Sequence, residues 1–205
     1  MTKERKLVID AIRHLKNSDR ILSTIIRDVE PYKVYRRNNS FESLVRIIVG
    51  QQLSSKAAAT IFQHLKEAMG NQTITTDRIS TINDEALFNV GVSKAKTKTI
   101  RELTHQIEDG SIRLRRLSNM SDERITEVLT QVKGIGPWST QMYLMFVLHR
   151  PDVFPSTDKG IINAIKKLYG DEYCGEDEID LITDRWRPFR TIACWYLWKY
   201  VDSRA

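Results

Sequence analysis

The sequence predicts an all-α protein, of a length that suits two helical lobes, and three observations carry the helical class. Apolar residues recur at helical spacing along most of the chain, no stretch sustains the period-two alternation of a half-buried strand, and serines and glycines stand where helices should start and stop. At 205 residues with 41% hydrophobic side chains, the chain has enough apolar surface for a packed core.

Taken in order, Ile21, Leu22, Ile25 and Ile26 mark the first apolar stripe. Ala58, Ile61, Phe62 and Leu65 mark the next, with Ser54 or Ser55 as its cap and Gly70 as its stop. Ile100, Leu103 and Ile107 lie between Ser93 and Gly110, and Ile125, Val128, Leu129 and Val132 follow Ser121. Residues 138–148 are apolar nearly all round, the pattern of a helix buried between others. Residues 161–169 and 192–201 supply two more helices, and Pro188 suits the first turn of the last, where a missing N–H costs nothing. No low-complexity segment, short repeat or long Pro/Gly-rich linker divides these runs, so residues 1–205 read as a single unit.

Composition narrows the function. A net charge of +6 favours a polyanionic partner, with nucleic acid first among them. The longest uncharged apolar stretch, residues 142–148, is far below the roughly 20 residues of a membrane span. The N-terminus is charged rather than signal-like, so a soluble intracellular protein is expected. Cys174 and Cys194 form no Cys-x-x-Cys pair, and the four histidines are scattered, which argues against zinc or an iron–sulfur cluster. The basic cluster of Lys33, Arg36 and Arg37 reads as a solvated surface.

The most informative stretch is LTQVKGIGPWSTQMYLM at residues 129–145. An amphipathic helix meets Gly134-Ile135-Gly136, and a second helix starts at Pro137 or Trp138. Two glycines one residue apart allow a tight turn and close approach to another surface, while the new helix offers unpaired N–H groups to an anion. The plain reading is a tight interhelical turn; the chemical one is a phosphate cradle. Downstream, Asp158 stands where the helix through residues 161–169 should begin, suited to cap its N–H groups.

Three ordered blocks, IIVGQQLSSKAA at 47–58, VKGIGPWST at 132–140 and DVFPSTDKG at 152–160, resemble the helix-hairpin-helix, Gly-Pro-Asp superfamily of base-excision DNA glycosylases. Within it the chain is most similar to the alkylpurine branch. GVSKAK at 91–96 and RPFRTIACWYLW at 187–198 extend the match over most of the chain from about residue 40. The resemblance implies two helical lobes with a DNA-binding cleft between them, a helix-hairpin-helix at about 125–148, and no extra N-terminal β domain. It implies an enzyme that flips an alkylated purine, such as 3-methyladenine or 7-methylguanine, out of duplex DNA and hydrolyses its N-glycosidic bond.

By the same resemblance Asp158, in the FP-x-x-D pattern, is the catalytic carboxylate. Bifunctional members carry a nucleophilic lysine after Gly-x-Gly-x; this chain has Trp138 there, so no Schiff base and no strand cleavage are expected. Lys133 and Lys159 fall outside the nucleophile's position and read as phosphate contacts or surface charge. Trp138 and Trp198 are the aromatic candidates for the base pocket, with Tyr143 beside them and Met142 where the bacterial relative has a tyrosine. Gln52 matches the side chain that fills the gap left by the flipped nucleotide, with Gln51 and Leu53 as neighbours; without the resemblance both glutamines would read as helix-end caps. Ser54, Ser55 and Lys56 are further expected DNA contacts. No cofactor is required, but the resemblance implies a hairpin able to hold Na+ or K+ through main-chain carbonyls around Val132 and Gly134. A monomer is expected, acting in the nucleus of a eukaryote or the cytoplasm and nucleoid of a prokaryote. Two other readings stay open: a non-catalytic hairpin module that only clamps DNA, and a glycosylase for an etheno or deaminated base.

Overall fold

The structure, a computed structural model, describes residues 3–33, 40–170 and 175–204; Arg36, Arg37 and Cys174 lie outside them. The described residues form α-helices and no strand, as the periodicity requires. In order they are α1 (Lys3–Ser18), α2 (Arg20–Asp28), α3 (Ser40–Gly50), α4 (Ser55–Ala68), α5 (Thr76–Thr81), α6 (Asp84–Asn89) and α7 (Lys94–Glu108). Then follow α8 (Leu114–Leu117), α9 (Asp122–Leu129), α10 (Pro137–Phe146), α11 (Lys159–Tyr169), α12 (Glu176–Asp184) and α13 (Arg190–Asp202).

The chain divides into two compact units. One joins Met1–Arg36 to His149–Ala205, so α1 and α2 share it with α11, α12 and α13; the other is the continuous stretch Arg37–Leu148. No described helix is long and apolar enough to cross a membrane.

In the first unit, α13 packs on α2 and α11. Its residues 191–197 are all buried, which explains why the helix shows no single apolar stripe. Leu22 and Ile25 of α2 and Ile161 and Ile165 of α11 fill the same core, each contributing about 1.5–3 kcal/mol by leaving water. Asp19, 4% exposed, knots this unit together. Its Oδ1 accepts the Ile21 and Leu22 N–H groups at 2.9 Å, and its Oδ2 accepts the Tyr169 hydroxyl at 2.6 Å and Trp186 Nε1–H at 2.9 Å. A buried carboxylate is tolerable because these donors replace its water. Burial, and then the Asp19 charge, push the Tyr169 phenol above its ordinary pKa.

In the second unit, α3 and α10 pack together, with α4 and α7 against α3 and α9 against α10. Ser54, Ser93 and Ser121 cap α4, α7 and α9 through their hydroxyls, which fixes Ser54 rather than Ser55 as the cap of α4. Two expectations are corrected. The stripe ending at Val132 overruns α9, which stops at Leu129; Val132 is buried from within the turn that follows. Pro188 lies outside α13, after a cis Arg187–Pro188 bond and before the N-cap Phe189.

Candidate active site

The first unit presents a carboxylate on a braced loop. Thr191, one residue into α13, donates its hydroxyl to the Arg150 carbonyl at 2.6 Å, accepts Val153 N–H at 3.1 Å, and donates its own N–H to the Pro151 carbonyl at 3.1 Å. Asp152 accepts from Arg190 Nε at 2.7 Å, Arg190 Nη2 at 3.1 Å and Arg187 Nη1 at 3.0 Å. Burial alone would raise the Asp152 pKa; hydrogen bonding and charge from Arg190, helped by Arg187, reverse this and leave it below the ordinary value. Charge-assisted contacts of this kind are short and directional, so they hold the start of the loop on α13.

The loop ends at Asp158, the half-buried N-cap of α11. Its Oδ1 accepts Ile161 N–H at 2.8 Å and, from two turns along α13, Trp198 Nε1–H at 3.2 Å. One oxygen is thus held by a backbone donor on its own helix and an indole donor on another. Trp198 itself is half-buried, and Lys159 is exposed at the first residue of α11.

The second unit presents the hairpin. Gly134 sits at φ +97, and a Cβ on it would overlap the Thr99 side chain of α7. Glycine is therefore required from within. Gly136 is different: it is the extended N-cap of α10, makes no side-chain cap, and a Cβ there would meet nothing within 4 Å. Among the described residues, nothing crowds a side chain at 136. Pro137 follows at the first helical position, and Lys133 is exposed beside the turn.

The loop between α3 and α4 is bound to this hairpin. Gln51 Nε2–H donates to the Gly134 carbonyl at 2.9 Å and to Ser139 Oγ at 2.8 Å. Lys96 Nζ donates to the Val49 and Gln51 carbonyls at 2.8 and 2.9 Å, and burial holds its pKa below the ordinary lysine value. With its flanks so fixed, Gln52 is exposed at φ +56, an uncommon conformation for a side chain of its length. Leu53 is exposed beside it, as are Ser54, Ser55 and Lys56. Ser54 and Lys56 also line an open groove of about 520 Å³ with His64 and Gly91.

Of the base-pocket candidates on α10, Trp138 keeps exposed surface, whereas Met142 is 6% exposed and Tyr143 fully buried. Both pack in the core of the second unit, which leaves Trp138 the most exposed of the three. Gln51 directs its amide N–H groups to the protein. Lys96, Asp152, Arg190 and Thr191 were not singled out from the sequence; their only signal was membership of the GVSKAK, DVFPSTDKG and RPFRTIACWYLW blocks. At the hairpin carbonyls, Val132 accepts Ile135 N–H at 2.9 Å and Gly134 accepts Gln51, so each retains a second lone pair that fits a monovalent cation.

Comparison with known proteins bears on this arrangement. A family profile described as HhH-GPD superfamily base excision DNA repair protein matches residues 45–188. DNA-3-methyladenine glycosylase 1 of Schizosaccharomyces pombe is 32% identical over 192 residues, covering 91% of this chain and 84% of that protein. The crystal structure of a DNA-3-methyladenine glycosidase from Bacillus halodurans superimposes with a TM-score of 0.72 at 34% identity, over 92% of this chain and 88% of that one. A Schizosaccharomyces pombe 3-methyladenine DNA glycosylase in complex with abasic DNA gives a TM-score of 0.81 at 31% identity, over 93% and 95%.

Proposed function

Because the chain belongs to the HhH-GPD superfamily of base excision DNA repair proteins, we propose that it is a monofunctional DNA glycosylase that removes alkylated purines from duplex DNA. The observation that carries this is the Asp158 carboxylate, fixed by Ile161 N–H and Trp198 Nε1–H on a loop braced to α13. A module that only clamped DNA would gain nothing from a positioned carboxylate, whose charge opposes a polyanion.

The chemistry follows from the leaving group. An N3- or N7-alkylated purine carries positive charge, so when its bond to C1′ breaks the base departs neutral with the electron pair. Positive charge develops on the sugar, and Asp158 stabilises it. Water then forms the C1′–O bond and passes its proton to Asp158 or solvent, leaving an abasic site. Because the base leaves readily, one carboxylate suffices, unlike the pair of ordinary glycosidases. Trp138 stands at the nucleophile's position and is no amine, so the sugar forms no Schiff base and the strand stays intact.

Gly136 and the first turn of α10 receive a DNA phosphate, with Lys133 adding charge; a missing side chain that no interior contact explains is suited to a backbone that comes close. Gln52, with Leu53, enters the duplex and offsets part of the few kcal/mol that flipping costs. Gln51 and Lys96 position it, and Ser54, Ser55, Lys56 and Lys159 contact the strands. The Trp138 and Trp198 indoles favour a cationic base over a normal one by about 0.5–2 kcal/mol. A Na+ or K+ at the Val132 and Gly134 carbonyls would add positive charge towards a phosphate. The chain acts as a monomer inside the cell, in the nucleus of a eukaryote or the cytoplasm and nucleoid of a prokaryote.

End-labelled duplex containing 7-methylguanine tests this reading. Strand breaks that appear only after alkali are expected; breaks without alkali would contradict the assignment of Trp138, and no release from bound DNA would favour a clamp or another lesion.

A further inference from the structure

We infer, resting on the glycosylase reading above, that Gly160 is a positioning residue: its missing side chain keeps the Asp158 carboxylate and the Trp198 indole in register. Gly160 lies in the first turn of α11, exposed and outside the positive-φ glycines, so its backbone does not call for glycine. Glycine is also a poorer helix residue than alanine, so the fold gains nothing by it.

What glycine secures is space. A Cβ at 160 would lie 3.1 Å from Asp158 Oδ1, 3.7 Å from Trp198 Nε1 and 3.8 Å from Trp198 Cδ1. The first distance is tight, so a carboxylate oxygen that already holds two hydrogen bonds, from Ile161 N–H and Trp198 Nε1–H, must give by a few tenths of an ångström. A shift of that size moves the oxygen off the geometry that both donors set. Gly160 thus answers to the carboxylate–indole pair of its own unit, as Gly134 answers to Thr99 in the other.

The test is Gly160→Ala, compared with wild type in four measurements: single-turnover release of 7-methylguanine, Tm, affinity for abasic-site duplex, and the NMR resonance of the Trp198 indole N–H. A release rate about ten-fold lower is expected, since small misplacements of a reacting group are costly. Tm should equal or exceed wild type, affinity should hold, and the indole resonance should move. Release at the wild-type rate would overturn the inference, as would a slower rate accompanied by a lower Tm or by an unmoved resonance. If wild type itself released no base, the glycosylase reading would fall and this inference with it, which separates the two failures.

Discussion

Two helices, one in each unit, begin in opposite ways. Helix α10 starts at Gly136 with no side chain to cap it, whereas α11 starts at Asp158, whose carboxylate already accepts a first-turn N–H. Each helix N-terminus favours an anion, from its partial positive charge and unpaired donors. On α11 the anion is built in and braced; on α10 no side chain takes that place, which the proposed function gives to a DNA phosphate. One local feature, a helix start, thus takes two forms decided by a single residue, suited under the proposed function to binding on α10 and to chemistry on α11.

Substitutions at these starts break or sharpen the comparison. The largest effect on the fold is expected from Gly134→Ala, where a positive φ and the Thr99 side chain both oppose a Cβ. A loss of about 1–3 kcal/mol should appear in urea unfolding. Gly136→Asp makes α10 begin as α11 does: stability should hold or rise slightly through the new cap, while affinity for abasic-site duplex falls about ten-fold as a carboxylate takes the phosphate's place. Retained affinity would show that α10 does not receive the backbone. Trp198→Phe removes the indole donor at 3.2 Å from Asp158 Oδ1 and should slow base release several-fold, about 1 kcal/mol for a single hydrogen bond, with Tm little changed.

The smallest effect concerns acid. The Asp152 pKa is depressed on folding, so its contribution is present above the unfolded-state value and is lost as pH falls through the folded one. Thermal melts of Asp152→Asn should lie below wild type at neutral pH and converge with it under strong acid. Parallel curves at every pH would show that the Arg190 and Arg187 contacts do not stabilise the loop.

Much of this architecture is legible locally. Helical class, the Ser54, Ser93 and Ser121 caps and the start of α10 at Pro137 all follow from residues within a turn of one another. Asp158 was legible as a cap for the same reason. Val132 was misread because an apolar residue can be buried from a turn as well as from a helix, and periodicity does not tell them apart. Gln51, Lys96 and the Asp152–Arg190 brace were hidden because their partners lie 83, 47 and 38 residues away. Tyr143 looked like a pocket residue beside Trp138, but α10 is buried on most of its circumference, and only packing decides which aromatic remains reachable.

The central claim is that Asp158 drives base release, and Asp158→Asn tests it most directly. Asparagine caps a helix about as well as aspartate and still offers an oxygen to Trp198, so folding and DNA affinity should survive. The account predicts single-turnover release of 7-methylguanine falling about 10²–10⁴-fold with Tm and abasic-site affinity unchanged. Release at the wild-type rate with binding intact would contradict it.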